Sequence, residues 1–123
     1  MDEPLFPIVP ACAPKQPLAE RDLLGTADAS SLESLFKTLA NGTRLRLLHA
    51  LVRAGELCVT DLADAIGMKA QAVSNQLQRL TDKGILGSRR SGTQVYYRIV
   101  DPCVVALLDQ GLCLSEDAET RTR

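Results

Sequence analysis

The sequence is poor in aromatic residues and in histidine. Its 123 residues include no tryptophan, two tyrosines, two phenylalanines and a single histidine. The core must therefore be aliphatic, built mainly from leucine, valine, isoleucine and alanine. No Ser/His/Asp set, Gly-rich phosphate loop or carboxylate pair stands out, so the sequence does not indicate an enzyme.

Long apolar runs are also missing. No stretch approaches the roughly 20 apolar residues that span a membrane. Residues 11–13 imitate a signal-peptidase site, but Asp2 and Glu3 make the preceding region acidic, and prolines interrupt it. We therefore expect a cytoplasmic protein without a membrane partner, whose thiols are reduced. Its four cysteines then indicate metal ligands, redox sensors or buried residues before a disulfide framework.

The charge is unevenly distributed along the chain. The formal net charge of −1 gives no overall sign of nucleic-acid binding. Between residues 69 and 98, however, only Asp82 opposes the basic side chains of Lys69, Arg79, Lys83, Arg89, Arg90 and Arg98. After residue 100 acidic side chains predominate. Because local charge is what meets phosphate, the basic segment is a candidate DNA contact; two solvated faces are the alternative.

The chain divides into three predicted segments. Residues 1–28 form a Pro-rich N-terminal arm, with five of the six prolines in the first 17 positions. Residues 29–116 form the folded domain, and residues 117–123 form a polar C-terminal tail. Apolar spacing predicts four helices, beginning near Ser30, Thr43, Thr60 and Lys69. Ser30 or Ser31 would cap the first of them, and Asn41-Gly42 would end it. A last helix begins at Asp101-Pro102, because Asp is a strong N-cap and Pro suits the first helical position.

Between the fourth and last helices the pattern changes to strict alternation. Val95, Tyr97 and Ile99 fall on one side of a predicted strand, and a turn at Ser91-Gly92 joins it to residues 87–90. Two short helices with a Gly-containing turn, followed by a hairpin, form a winged helix-turn-helix. The predicted fold is therefore mainly α with a β-hairpin wing.

In such folds the second helix of the pair enters the major groove of DNA. Its apolar stripe leaves polar side chains on the outside, and amide groups among them can bond adenine bidentately. Arg89 and Arg90 lie beside the hairpin turn and can reach the DNA backbone or minor groove. The alternative is a polar helix with no ligand. The predicted DNA-binding set is Lys69, Gln71, Ser74, Asn75, Gln78, Arg89 and Arg90.

Three segments in register closely resemble the ArsR/SmtB family of metal-responsive repressors. They are Glu56-Leu57-Cys58-Val59-Thr60-Asp61-Leu62-Ala63, Ala72-Val73-Ser74-Asn75-Gln76-Leu77 and Gly92-Thr93-Gln94-Val95-Tyr96-Tyr97. The resemblance covers roughly residues 30–116. It implies a homodimer through the first and last helices that binds operator DNA and releases it when metal binds.

The resemblance also assigns roles to single positions. Gln71, Ser74 and Asn75 would be the base-reading residues. Asn75 stands where many members have His, and Thr93 stands where many have Arg, so sequence preference and wing contacts would differ.

The four cysteines, Cys58, Cys12, Cys103 and Cys113, are the candidate metal ligands. By resemblance, Cys58 matches a ligand of the cadmium- and lead-responsive branch, in which an N-terminal arm supplies further thiolates, and Cys12 lies on such an arm. Thr60, however, replaces that branch's second Cys. The alternative for Cys58 is a small buried hydrophobe. The lone His49 is more simply a surface or core residue.

The last helix offers a second possible site. Asp101 and Cys103 match positions of the family's zinc ligands, but Leu114 and Asp117 break that pattern, and helix capping explains Asp101 equally well. Cys103 and Cys113 are ten residues apart, roughly 15 Å along a straight helix. Two thiolates on one metal lie within ~5 Å. These two cysteines could therefore share an ion only across a dimer with antiparallel last helices.

Thiol ligands with almost no histidine favour soft ions. Cadmium, lead, mercury and arsenite are favoured over zinc as the effector, and copper(I) also remains open. We expect Cys58 to belong to the sensor, with Cys12 or Cys103 as its partner. The rival hypothesis is a thiol-redox or reactive-sulfur-sensing repressor of the same fold, in which two cysteines form a disulfide or polysulfide.

Overall fold

The computed structural model describes residues 16–121. A short 3-10 turn at Leu18–Glu20 is followed by five α-helices and three strands. The order confirms the predicted winged helix-turn-helix. The elements are α1 (Thr26–Leu39), α2 (Gly42–Ala54), β1 (Leu57–Cys58), α3 (Val59–Ile66), α4 (Ala70–Asp82), β2 (Leu86–Ser91), β3 (Gln94–Ile99) and α5 (Pro102–Arg121).

The first two helices begin and end differently from the prediction. α1 begins at Thr26, so the expected cap at Ser30 or Ser31 is wrong. The residues before Ser30 extend the helix because alanine favours helix and Asp28 lies in the first turn, where the helix dipole favours a negative charge. Asn41, expected to end α1, instead caps α2, since its side-chain oxygen accepts the backbone N–H of Arg44 at 3.1 Å.

The helix that follows β1 begins earlier than expected, and the last helix ends later. α3 has Cys58, not Thr60, at its N-cap. α5 has the expected Asp101 cap, whose carboxylate accepts the backbone N–H of Cys103 at 2.9 Å. It continues past residue 116 to Arg121, so the segment expected as a polar tail is helical that far. The division into arm, domain and tail stays a prediction, and residues 1–15 lie outside the described range.

The three strands form an antiparallel sheet in the order β1-β3-β2. β2 and β3 are the predicted hairpin, and Gly92 adopts a φ of +63° at its turn. β1 adds a third strand, with Cys58 opposite Tyr96, while Arg89 of β2 lies opposite Tyr96 on the other side. The wing is thereby joined to the start of α3.

The core is aliphatic, as predicted. α2, α3 and α4 supply its least exposed side chains, which are Leu47, Leu48, Leu51, Leu62, Val73, Leu77 and Leu80. The terminal helices contribute less: α1 buries Thr38 and Leu39, and α5 buries Val104. No helix within residues 16–121 has the length and apolar character needed to cross a membrane.

Candidate nucleic-acid interface and thiol positions

The apolar side of α4 fixes the orientation of the expected recognition helix. Val73, Leu77 and Leu80 are each 0% exposed and pack in the central core. α3 ends at Ile66, and the left-handed φ of +71° at Gly67 begins the turn between the two helices. Arg46 of α2 donates a hydrogen bond to the carbonyl of Ile66 at 3.1 Å, which satisfies the end of α3. The opposite side of α4 therefore faces outward.

The predicted base-contacting side chains share this outward side. Lys69, Gln71, Asn75 and Gln78 are exposed, and Ser74 is half-buried. The Gln71 amide donates to the Asn75 side-chain oxygen at 3.1 Å, which holds the two amides side by side. Each amide also has a second polar atom with which it can bond a base edge. The arrangement can offer paired donors and acceptors to a DNA groove.

The two arginines of the wing are held differently. Arg89 makes a two-point ion pair with Glu56, and its Nε lies 2.9 Å from Oε2. Its guanidinium also stacks 4.6 Å above the centre of the Tyr96 ring. Arg90, by contrast, is exposed next to the turn. Arg89 thus ties the wing to the residue before β1, and Arg90 is the better placed of the two for a DNA phosphate.

The Glu56–Arg89 pair also changes the acid–base behaviour of both groups. The hydrogen bond from Arg89 is the main cause that lowers the pKa of Glu56 below its ordinary value. The same bond raises the pKa of Arg89. Sequence reasoning missed Glu56, because 33 residues separate it from Arg89 and only the strand register brings them together.

A second side chain that the sequence did not indicate is Arg44. Its Nε donates to the Gln76 side-chain oxygen at 2.7 Å, and its NH1 group donates to the Thr38 carbonyl at 3.0 Å. Arg44 therefore joins the last turn of α1, the first turn of α2 and the middle of α4. Arg44 also lines a small surface cavity with Thr38, Arg79, Asp82 and Lys83.

Among the described residues, Cys58, Cys103 and Cys113 do not form one metal site. Cys58 is only 5% exposed and carries a free thiol. Cys113 is exposed and also free, with its sulfur 3.8 Å from an Asp117 carboxylate oxygen. Cys103 is disulfide-bonded, and Cys12 lies outside the described residues. Within residues 16–121, no group of three or more His, Cys, Asp or Glu side chains is arranged to hold a metal ion.

Comparison with known proteins agrees with this architecture. A family model described as "MarR family" matches residues 41–94. The cadmium resistance transcriptional regulatory protein CadC of Listeria innocua is 34% identical over 94 residues, which is 76% of this chain and 79% of the relative. The chain belongs to the ArsR/SmtB family.

Two solved structures extend the comparison. The AntR antimony-specific transcriptional repressor is 62% identical, with a TM-score of 0.76, and the match covers 89% of this chain and 99% of AntR. The homodimeric winged helix-turn-helix domain of Mb0332 from Mycobacterium bovis, a possible ArsR-family regulator, is 32% identical with a TM-score of 0.65. That match covers 79% of this chain and 92% of Mb0332.

Membership of the ArsR/SmtB family makes this chain a winged helix-turn-helix transcriptional regulator and not an enzyme. The two departures from the family pattern both lie on the surface. Asn75 is exposed on α4 and bonded to Gln71, and Thr93 is exposed between β2 and β3. The two departures therefore leave the packing of the core unchanged.

Proposed function

We propose that this ArsR/SmtB protein binds operator DNA as a homodimer and releases it when a thiophilic ion binds cysteine thiolates. The observation that carries the DNA-binding part is the division of α4 into two sides. Val73, Leu77 and Leu80 anchor one side with no exposure, and the opposite side presents the side chains proposed to contact DNA. The proposed contacts are Lys69, Gln71, Ser74, Asn75, Gln78, Arg90 and, once released from Glu56, Arg89.

The terminal helices support the proposed dimer. Leu32 and Phe36 of α1 are 42% and 47% exposed, and Leu112 and Leu114 of α5 are 60% and 63% exposed. Large apolar side chains left exposed on two helices are typical of a surface that a partner covers. The solved relative Mb0332 is homodimeric. A second copy of this chain is the partner that would cover these side chains.

The choice of effector rests on the thiols and on the similarity to AntR. Soft ions prefer thiolates, and the described thiols do not form a complete site in one subunit. Since AntR is antimony-specific and 62% identical, trivalent antimony is the first ion to test, ahead of arsenite, cadmium, lead and mercury. Zinc is the weakest candidate.

Exposure separates the possible sensor cysteines. Cys113 is exposed on α5, one of the two helices proposed to meet a second subunit. Cys103, once reduced, lies on the same helix. Cys58 is buried, so a ligand there would have to displace its neighbours. We therefore propose a site shared between two α5 helices and keep Cys58, with Cys12, as the second location.

Operator release on titration with single ions tests this function. A duplex is selected from a random library by the reduced protein, and its release is followed by fluorescence anisotropy as trivalent antimony, arsenite, cadmium, lead or zinc is added. Cys113→Ser should bind the duplex but keep it when antimony is present, whereas Cys58→Ser should respond like the parent. The reverse pattern would place the sensor at the start of α3.

The rival function has one specific observation in its favour. Cys103 is disulfide-bonded, as a thiol-redox repressor would require in its oxidised state. In that case a mild oxidant or a polysulfide should release the duplex without any metal ion, and a reductant should restore binding. A parent protein that responds to antimony under full reduction and ignores the oxidant would exclude this function.

A further inference from the structure

We propose that Arg44 is a positioning residue that fixes the recognition helix α4 relative to α1, and thereby sets the half-site spacing that the dimer accepts. This inference rests on the proposed function as a dimeric operator-binding protein. Its basis is the pair of bonds from one guanidinium to Gln76 of α4 and to the Thr38 carbonyl of α1.

The position of Arg44 coincides with the junction of α1 and the core. α1 buries only Thr38 and Leu39, both at its C-terminal end, and Thr38 is 8% exposed. The side-chain hydroxyl of Thr38 bonds the Ser34 carbonyl at 2.9 Å, which fixes the last turn of α1. Arg44 in turn donates a hydrogen bond to the backbone carbonyl of Thr38 itself. The angle at which α1 leaves the core is therefore tied to the contact with α4.

The bonding chemistry requires arginine at this position. Two different donors of the planar guanidinium, Nε and NH1, reach neutral acceptors on two separate helices. A lysine ammonium is a point charge on a flexible stem and does not reproduce this fixed geometry. The salt bridges within residues 16–121 join Lys37 to Glu33 and Arg89 to Glu56, so no carboxylate pairs with Arg44 there.

A second contact supports the same connection. Lys83, next to the end of α4, reaches the Ser34 hydroxyl of α1 at 3.4 Å. With Arg44 it connects α1 to α4 at two points. In a dimer built through the terminal helices, α1 is fixed to the partner, so the α1–α4 angle determines how far apart the two recognition helices lie. Half-sites about one helical turn, ~34 Å, apart require that distance to be well defined.

The experiment measures spacing preference as well as affinity. The parent protein selects its duplex from a random library, and variants of that duplex are made with one base pair added or removed between the half-sites, a change of ~3.4 Å. Arg44→Lys and Gln76→Met are compared with Arg53→Lys, a matched control in which an exposed arginine of the same helix is changed. Dimer formation and thermal melting are recorded for each variant.

Arg44→Lys should bind the best duplex about tenfold more weakly than the parent does. On the duplexes with altered spacing, its affinity should fall much less relative to the parent. The ratio of the affinities for the best and the altered duplexes should therefore fall. Gln76→Met should show the same change, and Arg53→Lys should behave like the parent. An equal loss on all spacings would overturn the inference. Arg44→Met, which removes the charge, would then be compared with the parent, and a salt dependence reduced by about one charge would make Arg44 a phosphate contact instead. Failure of the parent protein itself to select any duplex would contradict the proposed function, and with it this inference.

Discussion

The central unit of the molecule, residues 42–99, and its two terminal helices are packed very differently. α4 has 13 residues and buries Val73, Leu77 and Leu80 completely. α5 has 20 residues, and Val104 is its one buried side chain among those described. α1 likewise enters the core only at its end. Most of the buried apolar side chains belong to the central unit, whereas the terminal helices leave more of their apolar side chains exposed.

This difference indicates two separate sources of stability. The fold of the central unit depends on aliphatic burial within one subunit. In the proposed homodimer, the terminal helices would gain further contacts from a second subunit. Because dissociation of a dimer depends on protein concentration and the loss of a core contact does not, the two sources can be separated by experiment.

The largest effect is expected in the core of the central unit. Leu77→Ala removes a side chain that is 0% exposed and leaves a cavity, which should lower the free energy of unfolding by about 2–5 kcal/mol. Leu23→Ala, at a position 97% exposed, is the matched control and should change it little. Urea denaturation measures both. Equal losses for the two variants would contradict the packing described for α4.

The sequence predicted elements whose signals are local. The hairpin followed from alternation over residues 94–99, and the cap of α5 followed from Asp101-Pro102. Local signals also misled where two interpretations compete: Asn41 suits both the end of one helix and the start of the next. Long-range pairs had no signal, because Arg44 and Gln76 are 32 residues apart and meet only in the folded core.

In the candidate site, too, features with local signals could be predicted and features that depend on long-range pairing could not. The outward side of α4 follows from helical periodicity, so its polar side chains could be named in advance. The accessibility of Cys58 could not be predicted from the sequence, because its burial depends on the pairing of β1 with β3. The engagement of Arg89 by Glu56 depends on the register of the same sheet.

The next largest effect tests the terminal helices. Leu112→Asp places a charge on the apolar side of α5 and should weaken the dimer by about 2 kcal/mol or more, with little change in the fold of the central unit. Gln110→Asp adds the same charge at an exposed polar position two residues away and is the matched control. Sedimentation velocity over a range of concentrations measures dissociation. A dimer unaffected by Leu112→Asp would place the interface elsewhere.

A smaller effect distinguishes the outward side of α4 from the wing. Gln71→Ala should weaken binding to the selected duplex by about 1–2 kcal/mol and leave binding to unrelated duplexes unchanged. Arg90→Ala should weaken binding to every duplex and reduce its salt dependence. Anisotropy titrations at several salt concentrations measure both. If the two variants showed the same sequence dependence, α4 would not be the base-reading helix.

The smallest effect concerns the pair that joins the wing to the central unit. Arg89 lowers the pKa of Glu56 below its ordinary value of 4.5, so the pair stabilises the fold when Glu56 is ionised. A lowered carboxyl pKa gives stability that is present above the ordinary pKa and is lost as the pH falls through the lowered one. Glu56→Gln should therefore melt at a lower temperature than the parent at neutral pH.

The difference between parent and Glu56→Gln should narrow as the pH falls below about 4.5. Glu33→Gln is the matched control, because it removes the exposed pair with Lys37 inside α1, where solvent screens the charges. Its melting temperature should differ little from that of the parent at neutral pH. If the difference in melting temperature between the parent and Glu56→Gln stayed constant from pH 7 to pH 3.5, the ion pair would not be what fixes the wing. The stacking of Arg89 on Tyr96 would then be what holds the hairpin against β1.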